Sequence, residues 1–177
     1  PQNFTESLVW QERAADKGYL PAQTSLAARF ETGDDVPHDL ARAAKWYARA
    51  AENGAATAHL KMARLCQAGE VGPRDEVAAA EWFLKAAGQG EVEAQYEAGL
   101  CCSTGRGHPL DYQAAAHWFR AAVEQKHIPS AFALGQIYLQ GVGLPQDYVE
   151  AARLFHAAGS EGHAGAQFHL GLCLEQG

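Results

Sequence analysis

Two side chains near the end of the chain have the types and the spacing that zinc ligands need. His169 and Cys173 lie four residues apart, so a helix would place them on one face, and His163 precedes them closely. Imidazole and thiolate groups bind zinc, but a structural zinc site normally has four protein ligands. No fourth ligand is evident in the sequence. We therefore predict no metal site and no cofactor.

Motifs of catalytic sites are missing from the sequence. There is no Ser-x-x-Lys, Gly-x-Ser-x-Gly or His-Glu-x-x-His pattern and no glycine-rich phosphate loop. The repeated Gly-x-Gly elements, such as residues 141–143, follow helical patterns, whereas a dinucleotide fingerprint follows a strand. We therefore predict no catalytic residues and a protein that is not an enzyme.

The composition excludes several classes of partner. Lysine and arginine number 14 against 21 aspartates and glutamates, which gives a formal net charge of −7. Nucleic-acid-binding proteins usually carry a basic face, so we predict no nucleic-acid partner. No apolar run approaches the roughly 20 residues of a transmembrane helix. We therefore predict no direct insertion into a membrane.

The sequence repeats itself with a period of 36 residues. Rare residue types keep this spacing without an insertion, and one further step from the last tryptophan reaches Leu154. The repeated residues are Trp10, Trp46, Trp82 and Trp118; Gly33, Gly69, Gly105 and Gly141; Pro37, Pro73, Pro109 and Pro145; and Asp39, Asp75, Asp111 and Asp147. A fixed period of this length is typical of helical repeat proteins.

Each repeat contains start and stop signals for two helices. In the copy at 19–54, Gly33 suits the left-handed position that ends a first helix, and Pro37 bars its immediate continuation. Asp39 fits the N-cap of a second helix that runs from about Leu40 to Asn53. In a later copy, Asp147 and Glu150 predict a capping box.

These signals predict an all-α chain of stacked helix pairs that share one core. We expect a single repeat domain over residues 1–177, with partial repeats at both ends, as in a fragment of a longer array. The expected boundaries are 1–18 for the first partial repeat, 19–54, 55–90, 91–126 and 127–162 for the full repeats, and 163–177 for the last partial repeat. Trp82 is expected to be a core residue whose replacement by alanine costs about 3–5 kcal/mol.

The repeat resembles the Sel-one-like repeat of bacteria, a relative of the tetratricopeptide repeat. The family pattern is Ala-x3-Leu-Gly-x2-Tyr-x2-Gly-x-Gly, then Asp, then Ala-x2-Trp-x3-Ala-Ala-x2-Gly. Its first half is matched best by Leu134, Gly135, Tyr138, Gly141, Gly143 and Asp147, and its second half by Ala79, Trp82, Ala86, Ala87 and Gly90. The resemblance covers essentially the whole chain. It implies a right-handed α–α superhelix, or solenoid, whose concave face is lined by first helices.

The resemblance also implies a function, because members of the family usually serve as adaptors and rarely do chemistry. We expect a protein-interaction scaffold whose concave groove binds a segment of a protein or peptide partner. A signalling adaptor, an envelope-assembly factor and an immunity or inhibitor protein that blocks a toxin are all compatible with this role. A hydrolase or penicillin-binding activity of the kind linked to cysteine-rich relatives is the alternative. The oligomeric state stays open.

By the same resemblance, first-helix positions equivalent to 24, 25, 28, 31 and 32 face the groove. These positions vary between copies, whereas the scaffold positions repeat. Two basic residues, Lys61 and Arg64, beside a patch of apolar residues suit a partner segment with an acidic end and apolar side chains that anchor it. The predicted partner-binding residues are Lys61, Arg64, Tyr96, Leu100, Phe132, Gln136 and Leu139. For the positions of Tyr96 and Phe132, the alternative is a place in the core between helices.

The four cysteines are predicted to be free thiols. Cys66, Cys101, Cys102 and Cys173 form no Cys-x-x-Cys pair, and the paired cysteines of the cysteine-rich relatives are missing. Cys66 and Cys102 occupy equivalent positions one repeat apart, where helix packing predicts about 10 Å, beyond the roughly 7 Å limit for a disulfide. Free thiols favour the cytoplasm, and the periplasm is the alternative if a leader has been removed.

Overall fold

The computed structural model describes residues 4–176, so residues 1–3 and 177 of the two expected partial repeats lie outside the described range. Ten helices of 13 residues occupy this range, and no strand occurs in it. They are α1 (Phe4–Asp16), α2 (Leu20–Thr32), α3 (Leu40–Glu52), α4 (Ala56–Ala68), α5 (Glu76–Gly88), α6 (Val92–Thr104), α7 (Tyr112–Glu124), α8 (Ile128–Gln140), α9 (Tyr148–Ser160) and α10 (Ala164–Gln176). Even-numbered helices are the first helices of the repeats, and odd-numbered helices are the second helices.

The chain folds as two compact units. The first unit ends at Gln89 and contains α1–α5, and the second unit begins at Gly90 and contains α6–α10. Within each unit, consecutive helices pack against each other, and every first helix packs extensively against the second helix that follows it. The prediction of an all-α fold built from 36-residue helix pairs is confirmed.

An aspartate begins each second helix from α3 onward. Asp39 Oδ1 accepts a hydrogen bond from the backbone N–H of Arg42 at 2.9 Å, and its three equivalents make the same bond. The backbone N–H of Asp39 also donates to the carbonyl of Phe30, near the end of α2, at 2.9 Å. One residue therefore caps the second helix and closes the loop after the first, as the N-cap prediction requires.

The predicted capping box at Asp147 and Glu150 is wrong. The backbone N–H of Asp147 donates to the carbonyl of Tyr138 at 3.0 Å, so it is already satisfied. The carboxylate of Glu150 instead accepts two hydrogen bonds from Arg153, at 2.8 and 2.7 Å. A guanidinium is the stronger partner because both groups are charged and the contact is bidentate.

Buried glutamines connect successive helix pairs. Gln23 is 2% exposed; its Nε2 donates to the carbonyl of Ala15 in α1, and its Oε1 accepts from Asn53 after α3. In the second unit, Gln125 donates to Gln95 Oε1 at 3.0 Å and to the carbonyl of Gly90 at 3.1 Å. Buried amides are retained because their hydrogen bonds are made within the protein. The stacking of repeats is therefore fixed by polar as well as apolar contacts.

In each second helix from α3 onward, the residue after the tryptophan position is a buried ring, and Trp46 and Leu154 at the tryptophan position are buried as well. The side chain of Trp10 is 60% exposed, and those of Trp82 and Trp118 are half-buried. Trp82, which was expected in the core, is half-buried and packs against the core of the first unit. The buried rings that follow the tryptophan position are Tyr47, Phe83, Phe119 and Phe155. Because a helix turns by about 100° per residue, this one-residue step redirects the side chain toward the preceding first helix.

Glycine on a first helix makes room for this ring in the second unit. A methyl group added at Gly135 would lie 2.7 Å from Phe155 Cε1, and one added at Gly99 would clash with the ring of Phe119. In both helix pairs, α6 with α7 and α8 with α9, the first helix therefore approaches the second as closely as a backbone without a side chain allows.

We expect Phe119→Ala to lower the free energy of unfolding by about 3–5 kcal/mol, because the ring is almost fully buried. Trp118→Ala is expected to cost less than half as much, because the indole stays partly in water in the folded state. Urea melts of both variants measure the two losses. Equal losses would show that tryptophan is as much a core residue as phenylalanine.

Gly135→Ala is expected to lower the free energy of unfolding by about 1–3 kcal/mol, because the added methyl displaces the Phe155 ring. Gly171→Ala is the matched control at the equivalent position of α10, where nothing lies within 4 Å. Alanine there is expected to stabilise by up to about 1 kcal/mol through helix propensity. Stabilisation by both substitutions in thermal or urea melts would contradict the close approach.

Candidate partner-binding surfaces

The seven predicted partner-binding residues all lie on first helices. Lys61 and Arg64 lie on α4 in the first unit. The other five lie in the second unit: Tyr96 and Leu100 on α6, and Phe132, Gln136 and Leu139 on α8. Arg64 is exposed and the other six are half-buried. Each therefore presents some surface to solvent while packing against its own unit.

A network of three polar side chains lies beside Arg64. The ammonium of Lys61 donates to both carboxylate oxygens of Glu31, at 2.8 and 2.9 Å, and the hydroxyl of Tyr47 donates to Glu31 Oε2 at 2.5 Å. These residues come from α4, α2 and α3, so the network joins three helices. We call Glu31, Tyr47 and Lys61 the Glu31 network.

The Glu31 network fixes the charge of its members. Burial alone would raise the pKa of Glu31, but hydrogen bonds from Lys61 and Tyr47 and the nearby positive charges hold that pKa below its usual value. Burial and the Glu31 carboxylate both raise the pKa of Tyr47, so its hydroxyl stays protonated and donates. The charge of Lys61 is therefore compensated within the first unit, and Arg64 is the exposed cation of this surface.

Sequence reasoning found Lys61 but missed Glu31 and Tyr47 as its partners. A signal was present, because Tyr47 stands where the other repeats have Phe83, Phe119 and Phe155. A hydroxyl added to a core ring needs a hydrogen-bond partner when it is buried. The half-buried carboxylate of Glu31 is that partner.

In the second unit, Tyr96 and Phe132 occupy equivalent places in two stacked layers. The centroid of the Tyr96 ring lies 6.0 Å from that of Phe119 and 5.1 Å from that of His127. The Phe132 ring lies 5.8 Å from Phe155 and 4.5 Å from His163, 36 residues further on. Each ring is thus held between a core phenylalanine and a histidine from the turn that precedes the next first helix.

His127 is neutral in its layer. Burial lowers its pKa, and this effect exceeds the opposing attraction of Glu93, whose carboxylate lies 3.8 Å from His127 Nε2. Its Nδ1 lies 2.8 Å from the hydroxyl of Ser130, which is fully buried. The histidine therefore acts as a packing and hydrogen-bonding group at neutral pH.

The surface around these rings has little positive charge. Helix α8 contains no charged residue, and Leu100 and Leu139 pack partly against the core of the second unit. On α6, Glu97 is paired with Arg106 at 3.0 Å. This surface is apolar with amide groups, whereas the α4 surface is polar and charged.

The thiols of Cys66, Cys102 and Cys173 are not activated. Cys102 Sγ lies 3.7 Å from His108 Nδ1, but Cys102 is fully buried, and burial is the main cause that raises its pKa to about 11. Burial likewise raises the pKa of Cys66 and of Cys173. A thiol needs a lowered pKa to act as a nucleophile at neutral pH. None of the four cysteines forms a disulfide.

The histidines near the end of the chain bond to the backbone. His163 Nδ1 accepts from the N–H of Ala166 at 3.1 Å, and His169 Nδ1 donates to the carbonyl of Gly165 at 2.8 Å. Among the described residues, no group of three or more histidine, cysteine, aspartate or glutamate side chains is arranged to hold a metal ion. Over the same range, no helix has the length and apolar character needed to cross a bilayer.

Stacked 36-residue helix pairs with variable first-helix surfaces define the chain as a helical repeat protein. The Sel1 repeat family model matches it at residues 1–19, 20–54, 56–91, 92–127, 128–163 and 164–177. The chain therefore belongs to the Sel1 repeat family. Proteins of this family are generally protein-interaction scaffolds and are typically non-enzymatic.

Solved structures of similar sequence have the same repeat fold. One is c5321, a protective antigen present in uropathogenic Escherichia coli strains that displays an SLR fold; it matches with a TM-score of 0.84 and 31% identity over 96% of this chain and 36% of its own length. A Sel1 repeat protein from Oxalobacter formigenes matches with a TM-score of 0.83 and 27% identity over 89% of this chain and 65% of its own.

A third structure supports the fold alone. It is a putative sel1 repeat protein from Klebsiella pneumoniae subsp. pneumoniae, with a TM-score of 0.52 and 20% identity over 97% of this chain and 86% of its own length. This chain thus spans about a third of the Escherichia coli protein and just under two thirds of the Oxalobacter protein. No curated protein matches the sequence significantly.

Lys61→Gln is expected to destabilise the first unit by about 0.5–1 kcal/mol at pH 7, because the ion pair it removes is partly exposed. The folded-state pKa of Glu31 is lowered, so the stabilisation it provides is present above the unfolded pKa of about 4.3 and is lost as the pH falls through the folded value.

The difference between wild type and Lys61→Gln in urea melts should therefore shrink from pH 7 to pH 3. Lys45→Gln, at an exposed lysine on α3, is the control for a change of net charge. A difference between wild type and Lys61→Gln that does not depend on pH would contradict the Glu31 network.

Proposed function

We propose that this chain is a protein-interaction scaffold that binds a segment of a partner protein through the open positions of its first helices. One observation carries the proposal: several positions that hold the fold together keep their residue type between repeats, whereas half-buried and exposed first-helix positions change. The aspartate caps and the core ring recur every 36 residues, but the position of Arg64 holds Ala28, Leu100 and Gln136 in other repeats. Positions that the fold does not constrain are available for recognition.

The α4 surface of the first unit suits an acidic side chain of the partner. Arg64 is exposed, and its guanidinium can bind a carboxylate through two parallel hydrogen bonds. Lys61 adds a second ammonium, although Glu31 already binds it. Arg64 is the more exposed of the two residues, so it is the better position for substitution.

The α6 and α8 surfaces of the second unit suit apolar side chains of the partner. Tyr96, Phe132, Leu100 and Leu139 are half-buried, so each offers part of its side chain without leaving the core. Among the described residues, the amide of Gln136 makes no hydrogen bond, so it can bond to a partner backbone. Such surfaces are used by helical or extended segments with apolar anchors.

Three of the four thiols do not have the chemistry that a thiol-dependent hydrolase of the kind linked to cysteine-rich relatives would need. Burial raises the pKa of Cys66, Cys102 and Cys173, which is opposite to the change that a nucleophilic cysteine needs.

The proposal is tested by capturing partners on the purified chain, identifying them by mass spectrometry and measuring the affinity of each purified partner by calorimetry. We expect Arg64→Glu and Gln136→Lys each to weaken binding by about tenfold or more. Arg64→Glu reverses the charge that faces an acidic partner, and Gln136→Lys places a charge on an apolar surface, where binding would desolvate it. Lys45→Glu makes a matched charge change on the second helix α3 and is expected to have no effect. Partners that bind Arg64→Glu and Gln136→Lys as tightly as wild type would overturn the proposed surfaces.

A further inference from the structure

A pocket of about 350 Å³ lies between the α7–α8 turn and α9 in the second unit. Val123, Ile128 and Ala157 provide apolar lining, and Lys126, Arg153 and Glu161 provide charged groups. None of the seven predicted partner-binding residues lines it. Its volume lies near the lower end of the roughly 300–1,000 Å³ of small-ligand sites, which suits one amino-acid residue.

Lys126 occupies a backbone position that glycine holds in every equivalent turn. Gly18, Gly54, Gly90 and Gly162 have φ between 86° and 91°, and Lys126 has a φ of 64°. The left-handed region disfavours residues with a Cβ, and lysine lacks the short polar side chain that lets asparagine tolerate it. Strain of this kind is often retained where the side chain has a function. Lysine in place of glycine at this turn therefore lowers the stability of the fold, and it places an ammonium group at the pocket.

The ammonium of Lys126 is not used inside the protein. Within the described chain, Lys126 Nζ makes no hydrogen bond or ion pair. The second unit has only four lysines and arginines, and two of them, Lys126 and Arg153, line this pocket; the four are Arg106, Arg120, Lys126 and Arg153. The pocket therefore gathers positive groups in a unit where acidic residues predominate.

Lys126 is the cation of the pocket that has no ion-pair partner among the described residues, because the other basic groups of the lining are paired or neutral. Arg153 is bound by Glu150 through two hydrogen bonds, and His127 is neutral beside Glu93. Glu161 is the carboxylate of the lining and can accept a hydrogen bond from an amide N–H. The pocket thus offers a cation, an acceptor and an apolar wall.

We propose that this pocket binds the C-terminal residue of a partner protein. The terminal carboxylate pairs with Lys126, the apolar side chain packs against Val123, Ile128 and Ala157, and the amide N–H of the same residue donates to Glu161. This site goes beyond the first-helix surfaces proposed above, so either proposal can fail without the other.

The test uses the full chain and the peptide acetyl-Gly-Ala-Val-Leu, with a free C-terminal carboxylate or with a C-terminal amide. In amide NMR titrations, the free acid is expected to cause saturable shifts at residues 126–128 and 157–161. The amidated peptide is expected to bind at least about tenfold more weakly, because it lacks the charge that Lys126 recognises. Equal affinity of the two peptides would overturn the proposal.

Lys126→Gly separates binding from folding. It gives the turn the residue found in the four equivalent turns, so the melting temperature is expected to rise, while affinity for the free-acid peptide falls about tenfold. Lys126→Arg keeps the charge and should retain binding, and Lys45→Gln controls for net charge. Unchanged affinity in Lys126→Gly, or no saturable shift in the wild-type chain, would refute the site. An amidated peptide with an internal glutamate that binds as tightly as the free acid would refute recognition of a C-terminus.

Discussion

The close approach of a first helix to the second helix of its own pair is the constraint on which each repeat depends. In the second unit the rings of Phe119 and Phe155 lie against Gly99 and Gly135 with no room for a methyl group. A ring packed directly on backbone buries much apolar area at a short interhelix distance. The two helices can meet in this way only if the loop between them has a fixed length and if the first helix ends, and the second begins, at fixed residues. The terminating glycine and the capping aspartate satisfy both conditions.

Contacts between pairs are made differently from contacts within a pair. The buried amides of Gln23 and Gln95 bond to groups at the ends of neighbouring second helices. An unpaired buried amide costs more than a hydrogen bond contributes, so these contacts admit few alternative stackings. Because the core and these bonds fix the repeat, the remaining first-helix positions are free to vary. That freedom is the physical basis of a scaffold whose surfaces differ from repeat to repeat.

Much of the local structure could be predicted because it depends on neighbouring residues alone. The N-cap at Asp39 and the left-handed Gly33 follow from backbone chemistry that acts within a few residues. The capping box at Glu150 failed because a guanidinium competed for the carboxylate, and Trp82 is only half-buried because a repeated residue need not be a fully buried one. Lys126 was missed because a search for repeated residues passes over a position that departs from the pattern.

The sequence by itself determined the helix-pair unit, its period, its caps and the family, since each is encoded by residue types at short spacing. Only the tertiary structure decided which ring enters the core, that Glu31 and Tyr47 compensate Lys61, and that Lys126 faces a pocket. These features join residues from different helices, and a one-residue step turns a side chain by about 100°. Spacing along the chain therefore identifies the repeated elements, whereas the chemistry of a surface depends on which side chains the packed helices bring together.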